Sequence, residues 1–156
     1  MAEIHHTGHN PPPAGLSRLA AAIVLVLFVC GFYWKLLLTN QFTWLSGGDT
    51  TSQVLPWLQF QAAEWHAGRV PLWDPNLWLG QSLIGQAQPG VAYPLNWLLF
   101  AMPLRDGFIK TGFLNWYFVV IHLMGAWFAY LLARDLGVRR ASAVFVGCAY
   151  TLLGWM

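Results

Sequence analysis

Four carboxylates lie in one long segment between two apolar runs, and they are the chain's main candidates for acid–base chemistry. Asp49 stands out because it follows Gly47-Gly48 and precedes two threonines, just beyond the first apolar run. A carboxylate in that position becomes a usable general base when partial desolvation increases its affinity for a proton. A helix-capping or turn role explains the same pattern and is favoured on composition alone. The four carboxylates are Asp49, Glu64, Asp74 and Asp106.

Asp74 and Arg69 are two further polar residues of the same segment. Asp74 lies between Trp73 and Pro75, which first predicts an Asx-type turn. Arg69 either pairs with Asp74 or binds a phosphate at a membrane surface, since a guanidinium group binds both anions through two parallel hydrogen bonds. Glu64 and His66 are interpreted as part of a solvated helix face.

His122 lies in the middle of an apolar segment. At that depth in a membrane, ionisable groups usually face the interior of a bundle or a pathway. A neutral imidazole packed against a neighbouring helix is the favoured interpretation. The sequence has no phosphate-binding glycine loop, no paired metal-ligand motif and no Gly-x-Ser-x-Gly. We therefore expect no cofactor and no metal site.

Composition places the chain in a membrane. It is 57% hydrophobic and 9% charged, with a mean hydropathy of +0.49, whereas soluble domains carry about 25% charged residues. Six of the 10 tryptophans lie between residues 39 and 112, outside the longest apolar runs, which is typical of interfacial anchoring. The net charge of +2 is too small to indicate a nucleic-acid partner. Membrane lipid is the expected surrounding.

Three apolar segments define the predicted domains. Residues 16–38 form a first transmembrane helix, because about 20 apolar residues cross the hydrocarbon core. Residues 113–133 form a second, and residues 141–156 form a third that is still apolar where the chain stops. Residues 1–15 are polar and turn-rich, which predicts a disordered cytoplasmic tail. The incomplete third segment suggests a fragment of a longer protein.

Arginines set the predicted orientation. Residues 134–140 form a short connection with three arginines, which marks it as cytoplasmic. Arg18, two crossings back, then falls on the same side. The N-terminus is therefore predicted to be cytoplasmic, and residues 39–112 to be an extracytoplasmic loop in a multi-pass protein of the bacterial inner (cytoplasmic) membrane.

The predicted loop contains two interfacial helices. Residues 56–66 suit a helix that starts with proline and stops at Gly68, and it could lie flat on a membrane. Prolines and glycines between residues 69 and 90 predict an ordered, irregular segment without regular helix or strand. Residues 93–104 are apolar but too short to cross a bilayer, so they predict an interfacial or re-entrant helix.

Taken together, the loop motifs resemble a known family. In order and spacing they are similar to the N-terminal region of YfhO-type bacterial membrane proteins, and the similarity extends through residues 134–137. Where the family commonly has Asn, this chain has Asp74, and both residues suit a turn. The motifs are Gly48-Asp49, Gln53, Pro56-Trp57, Gly68-Arg69, Pro71-Leu72-Trp73-Asp74-Pro75, Gly80 and Tyr93-Pro94-Leu95-Asn96.

The resemblance implies an all-α membrane protein with a partial GT-C glycosyltransferase-like fold. Such enzymes transfer a sugar from a polyprenyl-phosphate donor, and the expected acceptor is an extracytoplasmic polymer. In that superfamily an acidic residue early in the first outer loop commonly contributes to catalysis. The resemblance implies that this residue is Asp49, which would deprotonate or orient the acceptor hydroxyl. Gln53, Trp57, Arg69 and Asp74 become candidates for substrate binding, Arg69 through the donor phosphate. Such enzymes have many more spans, so we expect this chain alone to be inactive.

Two alternatives belong to other functional classes. The first is a non-enzymatic membrane protein, such as a lipid or polymer translocation subunit that uses the loop as a lid. The second is a small membrane-interaction protein that is complete at 156 residues.

Overall fold

The computed structural model describes residues 16–39, 43 and 47–153. The predicted tail, residues 1–15, and the last three residues of the third apolar segment lie outside these ranges. The described chain is mostly helical. Its α-helices are α1 (Arg18–Phe32), α2 (Trp34–Leu38), α3 (Leu55–His66), α4 (Pro94–Phe100), α5 (Thr111–Asp135) and α6 (Arg140–Leu152).

The chain divides into two compact units. The loop unit is Cys30–His122, and the helix unit is Met1–Val29 together with Leu123–Met156. The boundaries fall within α1 and α5, so each of these helices contributes residues to both units.

Small side chains let the helices of the helix unit approach closely. Ala21, Ala126 and Ala143, on α1, α5 and α6, are all completely buried. A Cβ added at Gly147 of α6 would lie 2.7 Å from the carbonyl oxygen of Ala126 and 2.9 Å from Cδ2 of Leu25. Only glycine therefore fits at this point of α6. Small residues at helix contacts are a common feature of helix packing in membranes.

Among the described residues, α5 is the one helix long and apolar enough to cross a membrane. It has 25 residues and contains the predicted segment 113–133. Only 22% of its most apolar 18-residue window is buried within the structure, so most of the apolar surface there needs another environment. In the first apolar segment, α1 ends at Phe32, and a turn at Tyr33 separates it from α2.

The loop unit is built on α3, α4 and the start of α5. A π-helical turn, Thr50–Val54, leads directly into α3. Leu58 and Ala62 of α3 pack in one buried cluster with Leu99 and Phe100 of α4 and Leu114 of α5. Apolar burial of this kind contributes about 25 cal/mol for each Å² removed from water. It therefore fixes α4 against α3.

The predicted end of the helix is observed at α3, whereas α4 ends earlier than predicted. α3 stops where Gly68 adopts a φ of 72° and Arg69 N–H donates to the carbonyl of Glu64 at 2.9 Å, so the predicted helix and its glycine stop are confirmed. α4 is shorter than the predicted segment 93–104. It ends at Phe100 because Pro103 disfavours a helical backbone at the preceding residue.

Two short strands correct the prediction that residues 69–90 exclude regular structure. β1 (Trp73–Asp74) pairs antiparallel with β2 (Gln81–Ser82), with Trp73 opposite Ser82. Gly80 makes the return possible, since it adopts a φ of 105° and a Cβ there would lie 2.7 Å from the Trp73 indole. This glycine-rich segment therefore contains a small β-hairpin.

Candidate functional site

An open pocket of about 370 Å³ in the loop unit is the candidate site, and we call it the amide pocket. It lies between α3, the turn at residues 87–90, the start of α4 and the first turns of α5. Its walls are aromatic, aliphatic and amide groups, with no charged side chain. Its polar and aromatic members are Trp57, Gln88, Tyr93, Asn96, Tyr117 and Phe118.

Asn96 joins three parts of this pocket. Its Nδ2 donates to the carbonyl oxygen of Gly90 at 3.0 Å, and its Oδ1 accepts the hydroxyl hydrogen of Tyr117. The side chain is only 7% exposed, so these bonds satisfy an amide that would otherwise be costly to bury. Asn96 therefore connects α4 both to the preceding turn and to α5.

Three side chains hold three consecutive carbonyls, those of residues 89–91, at the end of the turn. Gln61 Nε2 donates to Pro89 at 3.0 Å, Asn96 Nδ2 to Gly90 at 3.0 Å, and Trp97 Nε1 to Val91 at 3.1 Å. Turns have few backbone partners of their own, and buried carbonyls need hydrogen bonds. The side chains of α3 and α4 thus fix this edge of the amide pocket.

Gly90 is the one position of the turn that requires glycine. Its φ of 66° lies in the left-handed region, where a side chain is strained. A Cβ at Gly90 would also lie 2.8 Å from Nδ2 of Asn96. Because Gly90 has no side chain, Asn96 Nδ2 can come close enough to donate a hydrogen bond to the Gly90 carbonyl.

The amide pocket has the chemistry of a binding site for neutral, hydroxyl-rich ligands. An amide both donates and accepts hydrogen bonds, as a sugar hydroxyl does. Aromatic rings present large apolar faces, and the hydroxyl of Tyr117 adds a polar edge. The lining has no carboxylate, histidine, lysine or arginine, so this arrangement is suited to binding and orienting a ligand. A reaction there needs a group from elsewhere.

Asp49, the predicted catalytic residue, is exposed at the start of the helical stretch that leads into α3. Its backbone is helical, with φ −68° and ψ −36°, and its side chain makes no capping hydrogen bond. The predicted cap is therefore wrong, because a capping residue needs an extended backbone to bring its oxygen to the first N–H groups. Its exposure also leaves it without the desolvation that the sequence suggested.

Of the predicted substrate-binding residues, Gln53 and Trp57 have different environments. Gln53 is exposed in the π-helical turn. Trp57 is 8% exposed and packs against Leu83 and Val91, and it also lines the amide pocket. Trp57 is thus both a packing residue and a wall of the site.

Arg69, the predicted phosphate ligand, is paired with Glu64. Its Nε donates to Oε2 at 2.7 Å and its Nη2 to Oε1 at 2.5 Å. The pair is on the surface, with the Arg69 side chain 62% exposed. This hydrogen-bonded pairing lowers the pKa of Glu64 and raises that of Arg69. Arg69 therefore pairs with Glu64 and not with Asp74, the partner that the sequence suggested.

Asp74 stabilises the turn that follows β1. Its Oδ1 accepts hydrogen bonds from the backbone N–H of Asn76 at 2.9 Å and from Asn76 Nδ2 at 3.2 Å. The predicted Asx turn is confirmed. Asp74 is 3% exposed, outside the amide pocket, so its visible role is to shape the backbone.

Both histidines of the loop unit that the sequence singled out bond to backbone. His66 is exposed, as predicted for a solvated face, and its Nε2 lies 3.0 Å from the carbonyl oxygen of Met102. His122 Nδ1 lies 2.8 Å from the carbonyl oxygen of Phe118 on the same helix. Its ring meets that of Tyr33 edge-on, with centroids 5.2 Å apart.

Sequence reasoning missed the roles of Gln61, Asn96 and Tyr117. A signal was present, since Asn96 is a polar residue in an otherwise apolar run and belongs to the Tyr-Pro-Leu-Asn motif. Its partner Tyr117 is 21 residues away, and Gln61 is 28 residues from Pro89. Spacing gives no warning of pairs at such separations.

Within the described residues, no three His, Cys, Asp or Glu side chains gather as a metal site. Comparison of the chain with protein-family models, with curated proteins and with solved structures finds no match.

Proposed function

We propose that this chain is the N-terminal membrane part of a GT-C-like glycosyltransferase of the YfhO type. In this proposal it transfers a sugar from a polyprenyl-phosphate donor to an extracytoplasmic acceptor. The observation that carries the proposal is the amide pocket, whose neutral amide and aromatic walls suit a sugar. Its volume of about 370 Å³ is within the usual range for small-molecule sites.

The proposed setting is a multi-pass protein of the bacterial inner membrane with a cytoplasmic N-terminus. In support, α5 has the length and composition of a span, and the helix unit packs through small residues. Arg134, Arg139 and Arg140 lie on both sides of that unit's α5–α6 connection, where the positive-inside rule predicts cytoplasm. In this proposal residues 39–112, which supply most of the lining of the amide pocket, are extracytoplasmic.

In the proposed reaction, Asp49 acts as general base. It accepts the proton of the acceptor hydroxyl as that oxygen forms a bond to the anomeric carbon of the donor sugar. The bond from this carbon to the phosphate oxygen breaks, and polyprenyl phosphate leaves with the electron pair. Asp49 precedes Val54 and Trp57 on one helical stretch, and both of these line the amide pocket. Because one helical stretch carries both Asp49 and two lining residues of the pocket, we assign the role of general base to Asp49.

The remaining candidates receive supporting roles. Trp57 would form an apolar wall for the sugar, and Gln53 would face the solvent side of the same helical stretch. Arg69 would meet the donor phosphate through the N–H groups that Glu64 leaves unused, since a guanidinium has five such donors. Asp74 would act through the shape of the hairpin.

One observation favours a second candidate, a sugar-lipid or polymer translocation subunit. The lining of the amide pocket has no carboxylate, histidine, lysine or arginine, and Asp49 is not part of it. A protein that only binds and moves its ligand needs no general base. In this alternative, sugar binding depends on Asn96, whereas Asp49 has no role.

The test compares Asp49→Asn with Asp106→Asn in the full-length protein. Asp106 is a matched control because its side chain is 89% exposed in the same unit. Sugar transfer from a radiolabelled polyprenyl-phosphate donor is measured for each. We expect Asp49→Asn to reduce the rate about a hundredfold or more, the usual effect of losing a general base, and Asp106→Asn to leave it unchanged.

Two results would redirect the proposal. Undiminished transfer by Asp49→Asn would remove Asp49 from the mechanism. No transfer by the unmodified protein, together with donor binding that Asn96→Ala abolishes, would favour translocation.

A further inference from the structure

A second pocket, of about 730 Å³, lies at the arginine-bearing end of the helix unit, and we call it the arginine pocket. Arg18 is the first residue of α1, and Arg134 lies in the last turn of α5. Both line the pocket. The N-terminus of a helix also carries partial positive charge, which adds to that of Arg18. Two arginines, one of them at a helix N-terminus, therefore line one open space.

The other walls of the arginine pocket are aromatic and aliphatic. Trp127 and Tyr130 stack with ring centroids 5.1 Å apart. Leu131 and Leu132 are exposed, with 61% of Leu132 accessible. Tryptophan and tyrosine concentrate where hydrocarbon meets headgroups, and exposed leucines suit acyl chains. The pocket is thus cationic on one side and apolar on the other.

Hydrogen bonds to backbone hold this end of the helix unit together. Arg134 Nη1 donates to the carbonyl of Val138 at 2.5 Å, and Arg140 Nη1 donates to that of Leu16 at 3.0 Å. The second bond ties the chain just before Arg18 to the start of α6. Each bond uses one of five guanidinium N–H groups, so Arg134 keeps donors for an anion.

One acidic residue shares the pocket. Asp135 is exposed, and it forms no ion pair within the part of the chain that the structure describes. Counting Arg18 and Arg134 against Asp135 gives a net charge of +1 in the lining. Arg139 and Arg140 of the neighbouring connection raise the local value to +3. The local charge therefore favours an anionic ligand.

We propose that the arginine pocket binds the headgroup of an anionic phospholipid, with its phosphate between Arg18 and Arg134 and its acyl chains along Leu131 and Leu132. Arginine binds phosphate through paired hydrogen bonds, and basic pockets between membrane helices favour anionic headgroups. The proposal rests on the membrane placement given above and is independent of sugar transfer. Its occupant belongs to the leaflet at the arginine-bearing end.

The test measures thermal unfolding and binding of phosphatidylglycerol or phosphatidylcholine to the purified protein in neutral detergent. We compare Arg18→Gln/Arg134→Gln with the control Arg105→Gln/Lys110→Gln, which removes the same charge from exposed positions of the loop unit. The expected result is preferential stabilisation by phosphatidylglycerol. The first double variant should bind it at least about tenfold more weakly, since each arginine near a membrane surface contributes measurable attraction. The control should bind normally.

Two further variants keep the test decisive if the first double variant fails to fold. Asp135→Asn removes the acidic wall and should strengthen phosphatidylglycerol binding severalfold. Arg18→Lys/Arg134→Lys keeps the charge and should fold, yet bind more weakly because lysine lacks the planar fork. Unchanged or weaker binding by Asp135→Asn would overturn the proposal.

Inorganic phosphate separates the two sources of the anion. If the lipid is the occupant, phosphate alone should produce little stabilisation of the unmodified protein. Equal stabilisation by phosphate and phosphatidylglycerol would contradict a lipid site. Equal binding of phosphatidylglycerol and phosphatidylcholine would contradict recognition of an anion.

Discussion

The amide pocket and the arginine pocket differ in the polar groups that their helices supply. Both have aromatic walls, yet the first contains neutral amides and no charged side chain, whereas the second contains two guanidinium groups and a carboxylate. Asn96, which lines the first, forms hydrogen bonds with Gly90 and Tyr117. Arg134, which lines the second, donates one hydrogen bond to backbone.

The two ligands proposed for these pockets would be recognised in different ways. Neutral amides in fixed positions discriminate between ligands by the direction of hydrogen bonds, and salt weakens their binding only slightly. Guanidinium groups at an exposed surface attract anions over a longer range, and salt screens that attraction. We therefore expect the amide pocket to depend on packing of the loop unit and the arginine pocket to depend on charge.

The largest expected effect is that of Gly90→Ala. The new Cβ would be strained by the φ of 66° and would lie 2.8 Å from Asn96 Nδ2, so we expect a loss of about 2–3 kcal/mol in unfolding free energy. Denaturant unfolding in detergent measures it. Gly68→Ala is the matched control, with a φ of 72° and nothing within 4 Å. Equal losses for the two variants would show that the contact with Asn96 has no weight.

Asn96→Ala comes next, with an expected loss of about 2 kcal/mol, because it leaves the Gly90 carbonyl and the Tyr117 hydroxyl without their partner. Tyr117→Phe removes only one of these bonds and should cost about 1 kcal/mol. Unfolding in detergent and sugar binding are measured for both. If Asn96→Ala is as stable as the unmodified protein, the amide pocket is not held by hydrogen bonds.

Asp74 tests whether the loop unit depends on a buried charge. Asp74→Asn keeps an oxygen to accept from Asn76, so its unfolding free energy should be nearly unchanged. Asp74→Ala loses the turn bond and should cost about 1 kcal/mol. Unfolding in detergent at neutral pH compares the two. A large loss in Asp74→Asn alone would mean that the negative charge itself contributes.

The smallest expected effect is the pH dependence of the pair between Glu64 and Arg69. The pKa of Glu64 is lower in the folded protein because of its hydrogen bond with Arg69. The pair therefore stabilises fully above the ordinary pKa of glutamate and is lost as pH falls through the lowered value. Between about pH 5 and about pH 3, Glu64→Gln should show a slightly smaller fall in melting temperature than the unmodified protein. Identical falls would exclude a stabilising pair.

Local features of the fold could be predicted from local sequence. The start of α3, its stop at Gly68 and the Asx turn at Asp74 each depend on residues a few positions apart. The hairpin was missed because the proline and glycine density suggested only irregular backbone. The partner of Arg69 was missed because the left-handed Gly68 brings Arg69 back over the last turn of α3, to Glu64.

The sequence by itself determined that the chain is mostly helical, that α5 can cross a membrane, and where the arginines concentrate. These follow from composition and from hydrogen bonds within each helix. The tertiary structure alone decided that the side chains of α3 and α4 hold three consecutive carbonyls, and that Asn96 meets Tyr117. Such contacts depend on which helix faces pack together, and residue spacing does not encode that.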